Sequence, residues 1–267
     1  MPELLFSSKM ETARLPDGQM GDAYEATTPE RRAWIKTTLA LVQAFHPALP
    51  SMEEKYTKKP AAGLSFVVSK EVAPWSVLLL GQGCVSSVRL AAAIMNARLA
   101  GIEDIVAVCT HKVHDPALLA VLELTGVEHV FALPPEQAAT LLTELDSLFR
   151  SERAQGAGRL LSFGEPEFEM VRASVPVPVW QDHPPLVGIF PDAADQLEQI
   201  AQAHPDSAPQ LLTGTDELEW SSFDVVYGTG TTKAPLHLTS DLAGAWLCTD
   251  LNPAFFLNCE LRVSSTE

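Results

Sequence analysis

Cationic side chains are scarce in this 267-residue chain: 18 Lys and Arg stand against 34 Asp and Glu, a formal net charge of −16. A surface that acidic repels phosphate backbones and anionic headgroups, so nucleic acid and membrane are excluded as main partners. Cysteine is sparse too. Cys84, Cys109, Cys248 and Cys259 form no CxxC pair and no Cys/His metal spacing. Cys109 and Cys248 lie in apolar runs and read as small buried hydrophobes. No apolar stretch is long enough for a signal peptide or a bilayer span, and a cytoplasmic location is expected. HExxH, GxSxG and the P-loop are also missing, which removes the commonest metalloprotease, serine-hydrolase and nucleotide-phosphate signatures.

What is present is a dense stretch from Val77 to Leu142. The apolar run Val77–Leu80 stops at Gly81 and Gly83, and a long apolar helical pattern follows that closes at Gly101. A second run, Ile105–Cys109, leads to Asp115 and Pro116, which suit the N-cap and first position of another helix closed by Gly126. His129–Leu133 is a third run. Strand, helix, strand, helix, strand with tight connections predicts an α/β fold: a Rossmann-like parallel sheet covered by helices.

Around that unit the chain divides into four parts. Residues 1–73 form an N-terminal arm and helix: the first 27 are irregular, Thr28, Pro29 and Glu30 start an amphipathic helix over 29–46, and 47–73 make a loop or short hairpin. Residues 74–153 are the first α/β unit, with a helix over Glu136–Arg150. Residues 154–185, rich in glycine and proline, read as a crossover or linker. Residues 186–267 are a second α/β unit. Its strands are expected at Leu186–Phe190, Gln210–Thr213, Phe223–Tyr227 and Gly244–Cys248, with a helix over Asp192–His204 and a polar tail.

Three places could carry chemistry. Glycines between a strand and a helix let backbone amides approach a phosphate, which makes Gly81, Gly83 and Ser86 candidates for holding a dinucleotide. Cys84 in the same turn reads as an incidental cysteine of a tight glycine turn; a thiol activated at the helix start is the alternative. His111 and His114 share a polar loop on the C-terminal side of a strand, where ligands of open sheets collect, and Gly228–Thr232 is a second glycine-rich turn.

The steps Met95-Asn96-Ala97, Ala100-Gly101-Ile102, Gly126-Val127 with Val130-Phe131, and Gln137-Ala138 recur in order as in histidinol dehydrogenases, and the segment resembles their cofactor-domain core. The resemblance implies an aldehyde-dehydrogenase-like fold and NAD as cofactor. Farther on, Ala234, Pro235, His237 and Leu238 match the family's A-P-E-H-L step, whose His is the general base, while Leu236 replaces the water-activating Glu. Gln202 and His204 are nearest to two zinc ligands, one residue closer together than in the family; i and i+2 do not share a helix face, which counts against zinc there. Asn258 lies nearest to the zinc-binding Asp. Two functions follow. One is NAD-dependent oxidation of a small alcohol or aldehyde with His237 as base. The other is a catalytically inactive relative acting through binding or assembly. Resemblance, together with Phe255 and Phe256 near a polar terminus, also suggests a homodimer.

Overall fold

The computed structural model describes residues 6–49, 54–58, 64–111, 115–153, 157–164, 176–212, 222–230 and 233–265. Helices α1 (Ser8–Glu11), α2 (Asp17–Ala26) and α3 (Pro29–Phe45) come first, then a hairpin of β1 (Glu54–Lys58) and β2 (Leu64–Val72). The first α/β unit runs β3 (Ser76–Leu80), α4 (Ser87–Ala100), β4 (Ile105–Cys109), α5 (Pro116–Leu124), β5 (His129–Ala132), α6 (Pro135–Arg153), β6 (Arg159–Phe163) and β7 (Val179–Gln181). The second holds β8 (Val187–Ile189), a 3-10 turn over Pro191–Gln196, α7 (Leu197–Ala203), β9 (Gln210–Leu211), β10 (Val225–Tyr227) and β11 (Leu236–Leu238). Strand β12 (Leu257–Ser265) follows.

The sheets are parallel where the chain alternates strand and helix. The first has the order β5-β4-β3-β6-β7, and the second β11-β10-β8-β9. Crossover connections put helices on both faces, and the burial shows it. Leu78, Leu80, Ala107 and Cys109 enter one apolar cluster with α4 and α5, while Val77, Leu79, Val106 and Val108 enter another with α6. The first cluster continues through Val187, Ile189, Ile200, Val225 and Tyr227, so the two units share a core.

Helix ends follow the predicted chemistry. Thr28 caps α3 by accepting from Arg31 N, with Pro29 at the first turn. Asp115 caps α5 through Ala117 N at 2.9 Å and also receives both guanidinium nitrogens of Arg31 at 2.8 and 2.6 Å, fastening α3 to α5. Gly101 closes α4 at φ 93°, a conformation that favours glycine.

Several expectations are corrected. Residues 6–27 are not irregular: α1 and α2 form, and Leu15 N donates to Val130 O while Ala132 N donates to Ala13 O, so the arm runs along the β5 edge. With two glycines and only Met20 and Ala23 buried, α2 gains its stability from docking on α5 more than from its own sequence. Arg159–Phe163, read as linker, is a fully buried strand hydrogen-bonded to β3. The hairpin joins β12, not the parallel sheet, and that strand is the supposed polar tail. Gly244–Cys248 forms no strand; Thr38 Oγ1 accepts from Trp246 N and Tyr227 Oη donates to Ala245 O, taking backbone groups a ladder would use. Asp192–His204 splits into a 3-10 turn and α7. Phe256, one of the two residues offered for a dimer contact, is fully buried in the chain's own core, with the half-buried Phe255 ring against it. His114 and Thr231–Thr232 lie outside the described residues. Among the described residues no helix is long and apolar enough to cross a membrane.

Core and surface are therefore expected to respond differently. Ile94→Ala in the fully buried face of α4 should cost about 2–5 kcal/mol, and Phe45→Ala, 62% exposed, under about 0.5 kcal/mol, both read as urea midpoints.

Candidate functional site

In an open parallel sheet the crevice lies beyond the carboxyl ends of the strands, where successive connections leave in opposite directions. Here that point falls between β3 and β6. The Gly81–Gly83 turn occupies it, and its groups are engaged by the chain itself. Gly81 N donates to Phe163 O at 2.8 Å, and Cys84 N to Gly81 O at 3.1 Å. Gly164, at φ 86°, packs so close that a Cβ on it would stand 2.6 Å from both Gly83 N and Cys84 N. The close backbone approach that the glycines permit is to the segment after β6. Ser86 caps α4 by accepting from Arg89 N and donates its hydroxyl to Ala203 O at 2.7 Å.

One turn along α4 lies Arg89, 1% exposed in a helix buried on nearly every side. Its Nε and Nη2 reach the carboxylate of Asp182, just past β7, at 2.9–3.1 Å. Nη1 and Nη2 reach the carboxylate of Asp206, past α7, at 2.8 and 2.5 Å. Burial opposes the guanidinium charge, but the two carboxylates outweigh it and hold the group protonated above its ordinary range. Burial pushes the Asp182 carboxyl up, and Arg89 offsets that only in part. Cys84 is raised well above the usual thiol range by burial and by the charge of Asp182, so the activated-nucleophile alternative is not favoured.

Gln202 and His204 are not brought together. Gln202 is exposed on α7 and hydrogen-bonds Glu198 across one turn at 3.3 Å. His204 is fully buried: its Nε2 meets Tyr227 Oη at 3.1 Å, and its ring lies edge-on to Trp246 at 4.9 Å. Because Tyr227 donates its hydroxyl proton to Ala245 O, Nε2 carries the hydrogen in the other bond, and Nδ1 is buried without a partner. Burial, with the Arg89 charge behind it, drops the imidazole to about 3. Asn258 is spent as well, its Oδ1 accepting from Arg159 at 3.0 Å and its Nδ2 donating to Ala157 O at 3.1 Å. This donor set does not fit a zinc ion. Among the described residues no group of three or more His, Cys, Asp or Glu could hold a metal.

His237 stands elsewhere, exposed on β11 between the buried Leu236 and Leu238. Its Nε2 lies 2.6 Å from Gly228 O and its ring 6.0 Å from Phe190. A carbonyl only accepts, so Nε2 donates and Nδ1 is the free basic nitrogen. His111 is exposed, with Nδ1 3.2 Å from Thr110 Oγ1.

Sequence reasoning missed Arg89, Asp182, Asp206 and Tyr227. One signal was available: an arginine in the apolar run VSSVRLAAAIMNA must have a buried anionic partner. Nothing in the pattern says which of 34 acidic residues supplies it.

No family model matches the chain. It is similar to the histidinol dehydrogenase of Xanthomonas campestris pv. campestris, 31% identical over 229 residues, covering 78% of this chain and 51% of the relative. That of Xylella fastidiosa (strain Temecula1) is 30% identical over 226 residues with the same shares. The chain thus spans about half the length of the curated relatives it matches. Among solved structures, histidinol dehydrogenase from Elizabethkingia anophelis aligns at TM-score 0.56 and 13% identity, over 95% of this chain and 77% of that one; at this identity the likeness is one of fold.

The Arg89 and His204 environments make two predictions. Arg89→Met should cost about 3–5 kcal/mol by leaving two carboxylates unmatched, measured by urea denaturation. Unfolded, His204 protonates near its ordinary 6.5; folded, it stays neutral down to about 3. The unfolded chain binds more protons between those values, so the contribution of His204 is full above 6.5 and fades as pH falls, at about 1.4 kcal/mol per pH unit. In the folded protein the His204 ring resonances should hold still from neutral pH to about 4 in an NMR titration.

Proposed function

We propose that this chain, a histidinol dehydrogenase-like protein, keeps the dehydrogenase fold as a binding or assembly protein and performs no zinc-assisted oxidation at Gln202 and His204. The observation that carries this reading is the closed seam between the two α/β units, where Arg89 bridges Asp182 and Asp206, and His204 is sealed behind Tyr227 and Trp246. A substrate polarised by zinc needs ligands that reach the ion together, and these two side chains point into different surroundings. Leu236 in the place of the resembling family's Glu supports the same reading, because a buried alkyl side chain cannot activate water.

One observation favours a second reading, NAD-dependent oxidation of a small alcohol or aldehyde without zinc. His237 presents an exposed imidazole with free Nδ1 beside the turn that follows β10, at the carboxyl end of a parallel strand. There it could take a hydroxyl proton as hydride leaves for the nicotinamide. The glycine turn at Gly81 and Gly83, with Ser86, is the place proposed for the dinucleotide, which would first have to displace Gly164.

Titration calorimetry of the full chain with NAD, with and without zinc, separates the readings. The first expects no heat at millimolar NAD and a melting temperature unchanged by EDTA. Binding at micromolar to low-millimolar affinity, with turnover that His237→Ala abolishes, would establish the second and overturn the first.

A further inference from the structure

The second parallel sheet has a switch point of its own. From β8 the chain moves outward to β9, then returns to the other side of β8 for β10 and β11, so the reversal falls between β8 and β10. Their last residues, Ile189 and Tyr227, are paired, and Phe190 N extends the ladder with a bond of 2.8 Å to Tyr227 O. Ligands of open parallel sheets collect at such a place, beyond the carboxyl ends of the strands. Asp192 follows the end of β8, and the turn Gly228-Thr229-Gly230 follows that of β10.

The two segments are fitted to each other. Gly228 has φ 115°, and a Cβ on it would stand 2.7 Å from both Asp192 Oδ1 and Phe190 Cβ. A Cβ on Gly230 would stand 2.2 Å from the Phe190 ring. Neither position has room for a side chain, and that lets the turn close on Asp192. Thr229 then donates to Asp192 Oδ2 twice, from its hydroxyl at 2.6 Å and from its amide at 2.9 Å. These bonds, the hydroxyl's first, hold the Asp192 carboxyl below the usual carboxylate range, so it is charged at neutral pH.

One peptide unit joins Asp192 to His237. The N–H of the Gly228–Thr229 peptide goes to the Asp192 carboxylate, and the C=O of the same peptide receives His237 Nε2–H at 2.6 Å. The peptide is trans, so its N–H and C=O point opposite ways, and acid and imidazole hold it from its two edges. Resonance couples those edges: a negative charge that draws the N–H proton raises the electron density on the oxygen. The carbonyl becomes the better acceptor, and the bond from Nε2–H is strengthened. Nδ1 keeps the lone pair and is the more electron-rich for it.

We propose that Asp192 is a positioning residue for His237, acting through the Gly228–Thr229 peptide to hold the hydrogen on Nε2 and present Nδ1 as the reactive nitrogen of this crevice. A carboxylate that orients an imidazole is a common pairing; here a backbone amide stands between the two. The inference takes its catalytic meaning from the second reading above, in which His237 is the base, and rests on that reading to that extent. The link itself belongs to the chain and is tested without NAD or substrate.

Two readouts on the full chain test it. By NMR the His237 Nε2–H, a proton that an exposed ring normally loses to exchange with water, should give a slowly exchanging resonance that Asp192→Asn abolishes. Ethoxycarbonylation by diethyl pyrocarbonate, read by mass spectrometry, reports the nucleophilicity of the free ring nitrogen. Asp192→Asn should slow it at His237 about threefold or more, measured against the exposed His111 and His183 of the same molecule. The slowing should persist at about 0.5 M salt, which screens an exposed charge acting through space but leaves a hydrogen-bonded link intact. Asp241→Asn removes an equal charge just past β11 and should change neither readout. Asp192 is exposed, so circular dichroism and melting of the variant should match the parent. A parent that lacks the resonance, or a slowing that salt or Asp241→Asn reproduces, would overturn the inference. Turnover that needs His237 while Asp192→Asn alters neither readout would overturn it and keep the oxidation reading; both effects without any turnover would keep it and end that reading.

Discussion

A guanidinium loses several kcal/mol of hydration when it leaves water, and a helix that is apolar on nearly every side has nothing of its own to offset the loss. Arg89 of α4 is in that position at 1% exposure. Its charge is matched by Asp182, 93 residues on, and Asp206, 117 residues on, so the helix start, the end of β7 and the end of α7 must meet at one point. Ser86, at the same helix start, adds a second tie to the end of α7 by donating to Ala203 O. The relative placement of the two parallel sheets depends on this contact and on the core cluster they share.

The same contact decides what the seam can do. A crevice at a switch point serves a ligand when its amides and hydroxyls are free. Here Gly81 N, Cys84 N and the Ser86 hydroxyl are bonded within the chain, Gly164 lies against Gly83, and two carboxylates stand at the head of α4. His204 is held neutral by its burial and by the adjacent Arg89 charge. The interactions that fix the fold and those that a cofactor would need compete for the same atoms.

The fold was legible where local chemistry and burial agree. Val77–Leu80 and Ile105–Cys109 are apolar on both faces because their sheet is covered on both sides, and Thr28, Asp115 and Gly101 mark helix ends by caps that depend on neighbours in sequence. Elements whose stability comes from distant partners were not legible. Strand β12 looks polar alone and exists because β2 pairs along its whole length; α2 carries two glycines and is held by α5. Of the candidate residues, Gly81, Gly83, Ser86, Gln202, His204 and His237 were singled out by motif and resemblance, yet neither can tell an exposed histidine from a sealed one. His204 and His237 differ in three dimensions only, one behind Tyr227 and Trp246 and the other at a solvent-facing strand position.

Native-state hydrogen exchange at the amides of Arg89 and His204 tests the closed seam most directly. Arg89 N is bonded to Ser86 Oγ and His204 N to Ile200 O, so both sit at the junction itself. A seam that holds the units together opens only when the whole molecule does, so both amides should exchange with the free energy of global unfolding, unchanged by millimolar NAD and zinc. Exchange through a smaller opening, or protection that rises when NAD or zinc is added, would show a cleft that opens for a ligand and would contradict the account.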